Sequence, residues 1–368
     1  MKELIPLTKS DLPPIDDYIA YLKQIWRTGI LTNYGELTKQ FEEKLAEYLG
    51  VRYVVTVGNA TLGLQLALRA LDLKNGSEII TTPFTFAATT NVILYEGFKP
   101  VFADIDQDTF CINPNDIERK ITPNTSVILP VHVYGNPCDV DRINKIAEEN
   151  HLKVVYDAAH AFGVTYKGNS LSSYGDISVL SFHATKLFQT IEGGAVITNQ
   201  KDIADKIKLL RNHGIKSEEE VLIPGINAKL NEFEAAMGLC NLLTIEERMK
   251  ERERLYVRYK SNLSNETVKF QEIKADRYNY IYMPVVFQSK DIRDSIYNNL
   301  GLENIKCRKY FYPLTASYVY FKEDMIKKYG LINAKDISNR VLCLPLYTSL
   351  GVDNVDKISD WIKIIMKN

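Results

Sequence analysis

The 368-residue sequence carries almost no net charge: 45 Lys and Arg stand against 46 Asp and Glu. A protein that grips a polyanion leaves a basic footprint, and no Lys/Arg cluster with interleaved aromatics occurs, which argues against nucleic acid as a partner. No apolar run reaches the roughly 20 residues that span a bilayer, and the opening stretch MKELIPLTKSDLPP lacks a signal-peptide apolar region. A cytoplasmic location with no membrane attachment is expected. Cys111, Cys138, Cys240, Cys307 and Cys343 are scattered, odd in number and form no CxxC pair. Neither a disulfide framework nor a zinc site is indicated, and reduced, mostly buried thiols are expected. The GxGxxG and Walker phosphate loops are absent as well, as are repeats and low-complexity segments.

What is present is an alternation of helix and strand patterns from residue 38 to about 200, the mark of an α/β sheet with helices on both faces. FEEKLAEYLG places Phe41, Leu45, Tyr48 and Leu49 on one helical face and stops at Gly50. Strands are expected at 53–57, 78–82, 101–105, 127–131, 153–157, 178–182 and 195–198, giving seven. Most are near-continuous apolar runs, as strands covered on both faces are. ATLGLQLALRAL and DVDRINKIAEEN suit crossover helices. Beyond a polar stretch, EFEAAMGLCNLLTIEERMKERERLYVRYKSNL reads as one long helix or two adjoining ones. The length suits a large α/β domain, residues 1–250, and a smaller α+β domain, residues 251–368. Tyr278, Tyr280 and Tyr282 read as one face of a strand, packing between the domains.

In open, mostly parallel sheets, ligands bind beyond the carboxyl ends of the strands. After the first strand comes GNATLGLQLAL, where Gly58 allows a turn, Asn59 or Thr61 can cap a helix, and free amides favour an anion. After the fifth comes DAAHAFG, with Asp157 at the strand end and His160 three residues on. After the sixth, SFHATKLFQTIEGG sets Lys186 among small, hydroxyl and aromatic residues ahead of a Gly-Gly turn. A helix-start lysine on the surface is the ordinary explanation of such a residue. Set beside Asp157, it gains a chemical one. A desolvated lysine amine forms a Schiff base with an aldehyde, and an aspartate keeps a pyridine nitrogen protonated as an electron sink. With GNAT for a phosphate and Phe86 of TPFTF for a ring face, four strand ends agree on pyridoxal 5'-phosphate.

These stretches, with LTNYGELTKQFEEKLAEYLG, PVHVYGNPCDVDRI, YFYPL and CLPLY, resemble the sugar aminotransferases of the DegT/DnrJ/StrS type over essentially the whole chain. The resemblance implies the fold of the aspartate aminotransferase class (fold type I): a seven-stranded, mostly parallel sheet with a smaller C-terminal domain. It implies that Lys186 holds the cofactor and, once released, shuttles protons, that Asp157 pairs with the pyridine nitrogen, and that His160 lies near the phenolic oxygen. It sets the phosphate against Ala60, Thr61 and Ser181, with Asn227 supplied by a neighbouring subunit, and hence a homodimer with shared active sites. It puts Phe86 over the ring and Thr32, Asn33, Tyr34, Lys229 and Tyr310 near the substrate. Ala60 and Ile191 stand where the family often has glycine; both leave amide donors in place.

The resemblance further implies transfer of an amino group from L-glutamate to C4 of dTDP-4-keto-6-deoxyglucose, for O-antigen or another surface glycan. A 3-aminotransferase acting on the 3-keto isomer, a pyridoxal lyase, or a non-catalytic pyridoxal-phosphate-binding regulator are the other readings; the last would need no competent lysine. His183 beside Lys186 has no second ligand at metal spacing, so no metal is expected, and its purpose is not legible. His132 and His213 read as hydrogen-bonding residues of core or loop.

Overall fold

The computed structural model describes residues 3–264 and 266–367. All seven strands of the large sheet are found: β1 (Tyr53–Val57), β2 (Glu78–Thr81), β3 (Lys99–Phe102), β4 (Thr125–Leu129), β5 (Lys153–Asp157), β6 (Ile177–Ser181) and β7 (Gly194–Thr198). They lie in the order β1-β7-β6-β5-β4-β2-β3. Only β7 runs against its neighbours, antiparallel to both β1 and β6; every other pairing in the sheet is parallel. The carboxyl ends of β1 to β6 therefore share one edge with the amino end of β7, where Gly194 stands opposite both Val57 and Ser181.

Side chains alternate across a strand, and here successive residues enter different cores. Val54, Ile80, Ile128, Val154 and Ile197 join one buried cluster; Val55, Ile79, Val127, Val155 and Val196 join another. Two covered faces are the reason these strands read as unbroken apolar runs. Four of them end earlier than expected: β2 short of Thr82 and β6 short of Phe182, one residue each, and β4 and β3 by more. β4 stops at Leu129 because Pro130 has no N–H for the ladder. β3 stops at Phe102, and Asp104 turns its carboxylate to the amides of Asn333 and Ala334, both at 2.8 Å.

The helices begin with α1 (Ile15–Thr28), α2 (Glu36–Leu49), α3 (Ala60–Ala70) and α4 (Ala87–Tyr95). In α2 Phe41, Leu45 and Leu49 are buried, and Gly50 closes the helix at φ 62°. Its amino end is capped from a distance, since the Glu232 carboxylate accepts from the amides of Leu37 (2.8 Å) and Thr38 (3.0 Å). α5 (Pro114–Lys120), α6 (Val140–Glu149) and α7 (Lys201–Arg211) follow. The long helical stretch is two helices, α8 (Glu232–Leu242) and α9 (Ile245–Leu263).

A second, antiparallel sheet is made of β8 (Lys269–Phe270), β9 (Met283–Val286) and β10 (Val341–Leu344). With it go α10 (Lys290–Leu302), α11 (Met325–Tyr329), α12 (Ile332–Arg340) and α13 (Val352–Lys367). α9 joins the two bodies: Ile245 and Met249 pack in the core of the large sheet, Leu255 and Tyr259 in that of the small one. Residue 250, where the sequence suggested a boundary, lies inside this helix. Tyr278, Tyr280 and Tyr282 do not form a strand. They precede β9 as irregular chain, because Tyr280 has φ 50° and breaks the alternation.

All five cysteines are free; four are buried and Cys307 is half-buried. Among the described residues no helix is long and apolar enough to cross a membrane, and no group of His, Cys, Asp and Glu could hold a metal.

Candidate active site

The shared sheet edge opens into a cavity of about 630 Å³. At its floor Asn59 caps α3, its Oδ1 accepting from the Leu62 amide at 2.9 Å. The helix begins with Ala60 and Thr61, whose N–H groups have no carbonyl within the helix to meet and stand at the positive end of its dipole. One glycine lets β7 pass close against this helix start. A Cβ on Gly194 would lie 2.9 Å from the Ala60 nitrogen and 2.8 Å from the Leu180 carbonyl oxygen. Ser181, opposite Gly194, borders the same cavity.

Asp157 ends β5 in the cavity wall, 5% exposed. Its Oδ2 accepts from Thr89 Oγ1 at 2.7 Å and its Oδ1 from the Ala159 amide at 3.1 Å. Burial pushes the carboxyl up from its usual range, and the two hydrogen bonds and the charge of Lys186 oppose that rise. Part of Lys186 faces the cavity, but protein encloses its amine, and this desolvation lowers the ammonium to about 8 against the pull of Asp157. The ring of Tyr282 lies 6.0 Å from Lys186 Nζ.

His160 is buried, and burial together with the charge of Lys186 holds its imidazole well below the ordinary value. The neutral ring has one assignable tautomer. Its Nδ1 accepts from the Tyr134 amide at 3.2 Å, so the proton sits on Nε2. Phe311 lies parallel to the ring, 6.0 Å between centroids, and Tyr282 meets it edge-on at 5.1 Å. Phe86, at the start of α4, is 55% exposed and presents an uncovered aromatic ring to the cavity.

These features meet the demands of pyridoxal phosphate: free helix-start amides beside the Ser181 hydroxyl, a buried carboxylate, an amine tuned toward neutrality and a free ring face. The cavity thus gathers Ala60, Thr61, Phe86, Asp157, His160, Ser181, Lys186 and Tyr310. The remaining expected residues stand elsewhere on this chain. Asn33, Tyr34 and Lys229 border a separate cavity of about 520 Å³, Lys229 Nζ donating to Asn212 Oδ1 at 2.9 Å. Thr32 and Asn227 are exposed.

Sequence reasoning missed four residues here. Thr89, which serves Asp157, carried no signal beyond a hydroxyl in the first turn of a helix. Tyr282 was taken for strand packing. Arg308, on the cavity wall with its guanidinium 4.6 Å from the Tyr310 ring centroid, drew no reading of its own from the sequence. Glu192, the acid of EGG, was read as part of a turn, yet it lines the cavity.

Residues 15–363 match the DegT/DnrJ/EryC1/StrS aminotransferase family. A dTDP-4-amino-4,6-dideoxy-D-glucose transaminase of Shigella dysenteriae is 40% identical over 369 residues, 99% of this chain and 100% of the relative. One of Escherichia coli is 39% identical over 96% of this chain and 97% of its own. The crystal structure of DesI with its TDP-sugar product superposes with a TM-score of 0.91 at 32% identity, covering 99% of this chain and 93% of DesI. NtdA from Bacillus subtilis, solved with bound cofactor PMP, gives 0.87 at 29% identity over 96% of this chain and 82% of NtdA.

Proposed function

The chain belongs to the DegT/DnrJ/EryC1/StrS aminotransferase family, and from that premise we propose that it transfers the amino group of L-glutamate to C4 of dTDP-4-keto-6-deoxy-D-glucose, yielding dTDP-4-amino-4,6-dideoxy-D-glucose. The observation that carries the choice of sugar is the 40% identity, over full length, to the Shigella transaminase of that name. Pyridoxal phosphate, once bound, supplies an electrophilic carbon and an electron sink. In this reading the phosphate is held by the amides of Ala60 and Thr61 and by Ser181. Asp157 would keep a proton on the ring nitrogen, Phe86 would cover one ring face, and His160 Nε2–H would serve the phenolic oxygen.

Lys186 would hold the cofactor through its amine and, once displaced by the donor, would be the group that carries a proton on Nζ. A pKa near 8 suits both tasks, because each needs the free amine at working pH. Donor and acceptor take turns in the same cavity, so the kinetics should be ping-pong. Asn227 lies on an exposed segment, and we assign it to the phosphate of a second copy in a homodimer with shared active sites. Thr32, Asn33, Tyr34 and Lys229 would approach that copy's substrate, while Tyr310 approaches its own. The setting is cytoplasmic synthesis of an O-antigen or related surface glycan.

The test is product analysis. Purified protein is given L-glutamate and either dTDP-4-keto-6-deoxyglucose or its 3-keto isomer, and the products are read by mass spectrometry and NMR. A 4-amino sugar from the first is the expected result; amination of the 3-keto isomer alone would overturn the choice of carbon.

A further inference from the structure

The segment between β6 and β7 folds back on itself. Phe182 N–H donates to the Gly193 carbonyl (2.9 Å), Ala184 N–H to that of Ile191 (2.8 Å), and Thr190 N–H to that of Phe182 (2.8 Å). This ladder holds His183 and Glu192 across from one another at the cavity wall. His183 Nε2 lies 3.5 Å from Glu192 Oε1, with the two side chains 46% and 54% exposed. The imidazole cannot turn over freely. Its Nδ1 accepts from the Thr185 amide at 3.2 Å and sits 2.8 Å from Thr185 Oγ1. The neutral ring therefore carries its proton on Nε2, the nitrogen nearer the Glu192 carboxylate.

The charges on the cavity wall divide by sign and by task. Asp157 and Lys186 are committed to the cofactor in the reading above. What remains is one acid, Glu192, and one guanidinium, Arg308. An amino-acid donor brings carboxylates, which Arg308 attracts and to which Glu192 has no hydrogen to give. A deoxyhexose ring brings neutral hydroxyls, good donors to a carboxylate. We propose that Glu192, oriented by His183, accepts hydrogen bonds from the hydroxyls of the acceptor sugar and so selects the sugar without taking part in the donor half-reaction. Glu192 is the binding residue and His183 a positioning residue. The inference rests on the function proposed above.

The two half-reactions can be read separately in the full-length holoprotein. L-glutamate alone should bleach the cofactor's visible band, and dTDP-4-keto-6-deoxyglucose should restore it. Glu192→Gln and His183→Phe are expected to raise the sugar concentration for half-maximal recovery about tenfold, the scale of a hydrogen bond to a charged group. Bleaching by glutamate should stay within about twofold in both. The double variant should be no worse than Glu192→Gln alone, because one residue acts through the other. His183→Gln, whose amide can stand in for Nε2–H, should recover most of the loss. Equal losses in both halves, additive losses, or an unchanged sugar dependence would overturn the inference while leaving the aminotransferase reading intact. A wild-type protein that glutamate bleaches but the keto sugar cannot recolour overturns the choice of acceptor, and the inference with it.

Discussion

Thr89 Oγ1, in the first turn of α4, donates a 2.7 Å hydrogen bond to Asp157 Oδ2 at the end of β5. It is one of the influences that hold a buried carboxyl down. Thr89→Val removes the donor and keeps the shape. A lost bond to a buried ionised acceptor is worth about 1.5–3 kcal/mol, so turnover should fall about tenfold or more. The acidic limb of the rate profile should move to higher pH, since Asp157 then gives up its charge more readily. An unmoved limb would show that another group controls it.

The amine of Lys186 sets a second pH dependence. Its folded value of about 8 lies below the ordinary 10.5. Between those values the unfolded chain binds a proton that the folded apoprotein does not, so this group makes stability rise with pH across that window. Capture of pyridoxal phosphate by apoprotein needs the free amine, and its rate should climb with a midpoint near pH 8. Lys186→Ala should show no lysine-bound absorption and lose at least about a thousandfold in transamination. Retention of the wild-type spectrum in that variant would sink the cofactor assignment.

Gly194 tests the anion cradle without touching a catalytic side chain. The Cβ of Gly194→Ala would meet the Ala60 nitrogen at 2.9 Å and the Leu180 carbonyl oxygen at 2.8 Å, both backbone atoms that cannot step aside cheaply. Cofactor affinity, measured by equilibrium dialysis, should weaken by about tenfold or more. Unchanged affinity would place the phosphate elsewhere.

A buried ion pair supports the separate cavity that Asn33, Tyr34 and Lys229 border. Arg211 Nη1 meets Glu42 Oε1 at 2.6 Å with both side chains under 8% exposed, and Glu42 also accepts from Tyr34 and Thr56. Glu42→Gln leaves the guanidinium without its counter-charge. Breaking one partner of such a pair costs about 3–5 kcal/mol, which a denaturant midpoint should register. A shift below about 1 kcal/mol would mean that Arg211 finds water or another acceptor.

Shared sites in a homodimer predict complementation. Lys186→Ala and Asn227→Ala homodimers should each be impaired, yet subunit exchange between them should raise activity. In the mixed dimer one site combines an intact lysine with an intact Asn227 from the partner. No gain on mixing, with exchange verified by mass, would place Asn227 outside the neighbouring site.

The sheet was legible because seven short apolar runs recur at crossover spacing, and the runs outlast the strands by more than one residue only where Pro130 ends a ladder or Asp104 turns away to cap α12. Lys186 and Asp157 were legible because each is a polar residue at the end of such a run. Tyr282 and Arg308 were not, since they reach the cavity from the small sheet's side of the chain and nothing local ties them to Lys186. Glu42 and Glu232 sit on patterns that read as solvated helix faces. They are buried because their partners, Arg211 and the first amides of α2, come from elements distant in sequence. Ile191 shows the reverse: the glycine common in the family at this place has a reason, since the position has φ 73°, where a β-branched side chain is strained.

The reversed direction of β7 also orders events during synthesis. β1 pairs with β7 and with no other strand of the sheet, so it waits as an unpartnered segment while the ribosome adds residues 58 to 193. The segment that carries Lys186 between β6 and β7 can close only when β7 has emerged, and the same strand pairs with β1 beside Ala60. The nascent chain accordingly cannot join the start of α3 to the Lys186 segment through β7 until Thr198 has been made, when the local pairing with β6 and the longest-range pairing of the sheet both become possible.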